Sequence, residues 1–181
     1  MAAESSYIKT NISGSIVLSD GTGTPVTLTL AYDRGDLAIG PLSDKLNELV
    51  TVQRRGKFVS HAHGARVFPS VSFSAYCGNL VGGTTSAPGT PTEFLTRQGA
   101  YAANLGTLGT GRPLTTDMII TIEGTNFGDS DDEVITLNDV HATIQWAEAA
   151  DGNTITVTGT ILGAVGLDNG TNTAVSIAQI S

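Results

Sequence analysis

Apolar and polar residues alternate along much of this chain with a period of two, the spacing that sends successive side chains to opposite faces of a β-strand. Val26, Leu28, Leu30 and Tyr32 alternate with Thr27, Thr29, Ala31 and Asp33. Val71, Phe73, Ala75 and Cys77 alternate with Ser72, Ser74 and Tyr76, and Ile155, Val157 and Ile161 oppose Thr154, Thr156, Thr158 and Thr160. Met118, Ile120 and Ile122 form the inward set of a strand over 118–123. A long strand over 134–147, broken near Asn138 and Asp139, places Val140, Ala142, Ile144 and Trp146 on one face. Residues 7–18 predict a first strand with a bulge near Gly14, residues 36–39 a short strand, and residues 173–180 a last one.

Two stretches depart from this pattern. Residues 46–58 mix Leu49, Val50, Val52 and Phe58 with charges and lack clean alternation, which predicts a projecting hairpin covered by something other than its own core. Residues 92–104 bring Phe94, Leu95, Gln98, Tyr101 and Ala102 towards one side of a helix, with Thr90 or Thr92 as N-cap and Glu93 in the first turn. Gly, Ser, Thr and Pro-rich runs separate the elements, and residues 149–153 turn the long strand into an antiparallel partner. The pattern predicts one mainly β domain over 1–181: an antiparallel β-sandwich or barrel-like fold with one short flanking α-helix. The projecting hairpin occupies about 42–65, and a helix-bearing insertion about 81–116.

Composition sharpens the picture. Charged residues make up 14% of the 181 and aromatics 6%. Soluble domains average about 25% charged residues, so a surface this poor in charge suits contact with partners. The net charge of −8 is unevenly spread. No Lys or Arg follows Arg112, whereas ten of the 17 acids do, leaving nine cations against seven acids up to and including it. That asymmetry argues against a C-terminal half that grips nucleic acid, because phosphate binding needs cations. It suits a surface that must not hold nucleic acid, or one that meets a basic patch of another copy. Residues 1–13 hold no apolar run of a signal peptide, and no stretch approaches about 18 apolar residues. The expectation is a soluble product made in the cytoplasm, without membrane anchoring.

Few constellations offer chemistry. His61 and His63 lie two apart, so a strand would aim both imidazoles the same way, and a cupin-like metal site uses such a pair with a nearby carboxylate. Here Arg66 stands where the acid belongs. The acidic run 128–133 lacks the alternation and mid-loop glycine of a calcium loop, and Gly106, Gly109 and Gly111 precede no phosphate-binding lysine. Cys77 is the one cysteine, which excludes an internal disulfide and a thiolate cluster, and its alternating setting reads as a small buried residue. Arg54, Arg55, Lys57 and Arg66 form a cation group that could take phosphate or meet acids of a neighbouring subunit, the second fitting the acid surplus downstream. No catalytic residue, metal site or cofactor is expected.

The order of the pieces resembles the major tail tube proteins of long-tailed bacteriophages. The resemblance rests on AYDRGDLAIG, QRRGKFVSHAHGARVFPSVSFSAY, TPTEFLTRQGAYAAN and ITLNDVHATIQWAEAADGNTITVTGTILGAV, and the AHGARVF stretch departs from it. It implies a virion protein, made in the host cytoplasm, that joins copies of itself into hexameric rings. The rings stack into a hollow tube between tail tip and tail terminator proteins, and DNA passes through without specific binding. Carried onto this chain, the excursion at 42–65 reaches the adjacent ring. Leu49, Val52, Arg54, Arg55, Lys57, Phe58, His61, His63 and Arg66 are the inter-ring candidates, and Asp36, Glu123 and Glu148 the lumen candidates. The alternatives are a capsid decoration or host-binding β-sandwich module and, more distantly, a metal-dependent enzyme using His61, His63 and His141.

Overall fold

In the computed structural model the described residues are 15–21, 24–30, 36–42, 46–76, 89–101, 114–122, 132–148, 152–163 and 174–180. They form ten strands, one α-helix and one short 3-10 turn. The strands are β1 (Ser15–Ser19), β2 (Thr27–Leu30), β3 (Ala38–Gly40), β4 (Asn47–Arg54), β5 (Lys57–Arg66), β6 (Ser70–Tyr76), β7 (Thr116–Ile122), β8 (Asp132–Ala147), β9 (Thr154–Ile161) and β10 (Val175–Ile180). The helix α1 spans Pro91–Thr96, followed by the 3-10 turn Gly99–Tyr101. The protein is mainly β, and every strand pairing is antiparallel. No helix among the described residues is long and apolar enough to cross a membrane.

Eight strands form one sheet in the order β2-β1-β7-β8-β9-β6-β3, with β10 also on β8. β8 organises it. Its first half lies between β7 and β10, and its second half pairs with β9. The change of partners falls at the break expected near Asn138 and Asp139, where Asp139 adopts a left-handed φ of 52°. A non-glycine residue in that region costs about 1 kcal/mol, so surrounding bonds must hold it. They do: Asn138 N donates to Ala174 O at 2.9 Å, Leu162 N to Asp139 O at 3.1 Å, and Asp139 N to Asp117 Oδ1 at 2.9 Å. Thr115 Oγ1 adds a bond to Asp139 Oδ1 at 3.2 Å.

The core follows the alternation. Val71, Phe73, Ala75, Ile155, Val157 and Ile161 are buried from β6 and β9, as are Ile16, Leu18, Met118, Ile120, Leu137 and Val140 from β1, β7 and β8, all in one cluster. Gly159 completes an inward row, and a Cβ there would sit 2.5 Å from Val140 Cγ1 and 3.2 Å from Val71 Cγ1, so the strands approach where only hydrogen fits. Agreement fades at the ends. Val26, expected inward, is 39% exposed one residue before β2 begins, and Trp146, paired with the buried Ile155, is equally exposed. The expected first strand begins at Ser15 among the described residues, and Gly14 and Cys77 lie outside them. Of the acidic stretch expected as loop, Asp132 and Glu133 belong to β8, paired with Ile180 and Gln179 of β10.

The helix is shorter than its pattern. Thr90 is the N-cap in a capping box: Glu93 N donates to Thr90 Oγ1 at 3.2 Å, and Thr90 N donates back to Glu93 Oε2 at 3.0 Å. Expected to run to residue 104, the helix ends at Thr96 because Arg97 turns left-handed (φ 54°). Its guanidinium is drawn inward, with Nη2 donating to Thr115 O at 2.8 Å and Thr116 Oγ1 at 3.2 Å and the group stacked 4.8 Å over the Phe94 ring. Tertiary bonds outside the local pattern thus end the helix.

Candidate functional site

β4 and β5 pair only with each other among the described residues, as a two-stranded sheet apart from the main one. The turn explains why they close. Arg55 and Gly56 have φ of 53° and 74°, the left-handed pair required by a two-residue type I′ hairpin turn. Glycine takes that conformation freely, whereas Arg55 is held there at a cost of about 1 kcal/mol. At the foot the hairpin is tied to the body: Leu46 is buried, Val67 N donates to Leu46 O at 2.7 Å, and Asn47 Nδ2 to Gly64 O at 3.2 Å.

The register sorts the candidate residues onto two faces. Leu49 pairs with His63 and Thr51 with His61, while Val50 pairs with Ala62 and Val52 with Ser60. Between Val52 and Gln53 the register shifts, taking Val59 into a bulge, so Phe58 lies opposite Gln53. In an unbroken strand Phe58 and His61 would point oppositely. Here they stack, with ring centroids 6.4 Å apart and planes at 19°. One face therefore carries Leu49, Phe58, His61 and His63, and the other Val50, Val52, Arg54 and Lys57, with Arg55 at the tip. Leu49 is 68%, Phe58 64% and Val59 57% exposed, and every residue from 48 to 63 is exposed. Arg66 differs from the other inter-ring candidates. Half-buried at the foot, it donates from Nη2 to Leu162 O at 3.1 Å and lies 5.0 Å over the Phe68 ring.

A two-stranded hairpin is marginal in water, and this one exposes apolar side chains on both faces. That is the signature of a surface meant to be covered. The two histidines share a face but gain no third ligand. His141 lies on β8, its Nδ1 3.2 Å from Leu114 O, and among the described residues no group of three or more His, Cys, Asp or Glu is placed to hold a metal.

The lumen candidates are dispersed. Asp36 is exposed beside β6, its Oδ2 accepting from Ser74 N at 2.7 Å. Glu148 is exposed just past β8, and Glu123 lies outside the described residues, as do residues 128–131 of the acidic run.

Two features escaped the sequence reading. The first is a hydroxyl array on the face of β6, β9 and the second half of β8 that turns away from the core. Ser70, Ser72 and Ser74 pair with Thr160, Thr158 and Thr156, which pair in turn with His141, Thr143 and Gln145. Thr143 and Thr158 join their hydroxyls at 2.9 Å, and a shallow recess of about 280 Å³ lies among Ser70, Ser72, His141, Thr143, Thr158 and Thr160. The alternating Thr and Ser runs were visible as polar strand faces, but their merger into one field needed the register. The second is a polar cluster of the buried Arg97 and Asp20 with the half-buried Asp117 and Asp139, bridged by Thr115, which takes a bond from Arg97 on its carbonyl and gives one from its hydroxyl to Asp139. Burial lowers the Arg97 pKa and the Asp20 charge opposes that shift, while burial raises the Asp117 pKa above its ordinary 3.8.

No protein-family model matches this chain, and searches among curated proteins and among solved structures found no match.

Proposed function

We propose that this chain is a structural subunit that assembles with copies of itself into stacked hexameric rings, forming a phage tail tube through which DNA passes. In this reading it is a virion protein without catalytic residues or cofactor, capped in the particle by tail tip and tail terminator proteins. The single observation that carries the reading is the β4–β5 hairpin, which pairs with no other strand among the described residues and exposes Leu49, Phe58 and Val59. A protrusion that must seat on a different surface of the next copy makes a head-to-tail contact, and such contacts build rings or filaments rather than closed dimers. The charge pattern supports it: Arg54, Arg55 and Lys57 lie on the hairpin of a chain of net charge −8. In the finer proposal, the sheet on either side of the Asp139 corner forms the two layers of a sandwich, since strands that switch layers do so at bends.

Electron microscopy of the purified protein tests this directly. Rings or tubes are the expected result, and a chain that stays monomeric under all assembly conditions, with no tube in the parent particle, overturns it. Charge reversal through Arg54→Glu with Arg55→Glu should shorten or abolish stacking while the melting temperature stays at the wild-type value. Tubes of normal length in that double variant would remove the hairpin from the contact.

A further inference from the structure

We infer that the hydroxyl face of β6 and β9 is the wall along which the polyanion slides, an assignment that rests on the tube reading and says which face of the sheet is the channel. Ser70, Ser72 and Ser74 line up with Thr160, Thr158 and Thr156 across the two strands. No Lys or Arg occurs in β6, in β9 or in the second half of β8. Nucleic acid is held by cations that replace counterions at phosphate and by aromatic rings that stack on bases. This field offers neither across its middle, since its aromatic residue, Tyr76, lies at the end of β6 paired with Thr154. Apart from Tyr76 at that end, it also lacks the Trp, Tyr and Arg anchors that dominate protein interfaces, so its middle is poorly made to hold another subunit. What it offers is a hydrated surface of hydroxyls, some already bonded to each other, as Thr143 is to Thr158.

Two further observations fit. His141 sits 3.2 Å through Nδ1 from the carbonyl of Leu114, which only accepts, so that nitrogen carries the hydrogen and spends it within the chain rather than on a phosphate. A carboxylate beside the field, Asp36, accepts from Ser74 N at 2.7 Å and repels phosphate. The hairpin leaves from the end of the same layer, because Gly40 of β3 pairs with Ser70 of β6 and the chain between them makes the excursion. Strands that run along the channel would then send the hairpin along the tube axis, towards the next ring.

The test places a cation in the field. Thr158→Lys, with Thr156→Lys as a second variant should the first fail to fold, is assembled in low salt with short duplex DNA, sedimented and treated with nuclease. Thr29→Lys, on edge strand β2, serves as an outside control. The expected result is tubes of wild-type diameter that retain several-fold more nuclease-resistant DNA than wild type, whereas DNA on Thr29→Lys tubes is digested. Thr158→Lys or Thr156→Lys tubes whose DNA is absent or fully digested overturn the assignment and leave the tube reading standing. A lysine variant that melts like wild type yet does not assemble also overturns it, by placing the field between subunits. Wild-type protein that never assembles overturns both.

Discussion

Asp117 shows how one side chain governs the break in β8. Its Oδ1 accepts the N–H of Asp139 at 2.9 Å, which helps to hold that residue left-handed in the middle of β8. Burial raises its pKa above 3.8, the Asp139 N–H pulls it back, and the Asp139 and Asp20 carboxylates raise it further. Because the folded value lies above the unfolded one, the stabilising contribution of this group is complete below pH 3.8 and is lost as pH rises through the folded value. An ionised Asp117 therefore weighs against the fold at neutral pH. Asp117→Asn keeps an acceptor for the Asp139 N–H and removes the charge. It should unfold at higher denaturant concentration than wild type at pH 7, with a gap that narrows towards pH 4. A gap that stays constant with pH, or a variant less stable at pH 7, would show that Asp117 is not titrating as its setting requires.

At the scale of elements, close packing between β9 and its neighbours is the most exposed to test. Gly159→Ala would place a methyl against Val140 and Val71, and overfilling of this kind costs about 1–3 kcal/mol. The variant should lose stability in that range in chemical denaturation, and adding Val140→Ala should restore part of it; a silent Gly159→Ala would mean that the strands can separate freely. The same elements show what the sequence makes legible. β6 and β9 could be read in full because one face meets the core and the other meets water, so each residue reports its side. The break in β8 was legible through Asn138 and Asp139, residues that tolerate the left-handed region. The helix end was not, since Arg97 is held by Thr115 and Thr116, 18 and 19 residues away. Nor was the Phe58 and His61 pairing, because a bulge reverses the parity on which strand reading depends. The polar cluster of Arg97 with three aspartates comes from separate segments, and no local period records such a meeting.

For the whole molecule, the division between a self-sufficient sheet and a self-paired hairpin makes the strongest demand. All the buried hydrophobic residues of the core cluster, apart from Leu46 at the hairpin foot, belong to the main sheet, the helical segment or Ala174 beside β10. Removing the hairpin should therefore leave the core intact. Asn47 and Arg66 face each other across its base, so residues 48–65 can be replaced by an Asn-Gly turn, with the Arg66 bond to Leu162 retained. The shortened chain should fold with a single cooperative transition within a few degrees of wild type, as an exposed two-stranded sheet contributes little to stability. It should also lose the ability to stack, giving isolated rings or monomers by sedimentation and electron microscopy. Full-length tubes from the shortened chain would show that stacking uses other surfaces. A chain that no longer folds would show instead that the hairpin is part of the fold, and its exposed leucine, valines and phenylalanine would need a partner within the same molecule.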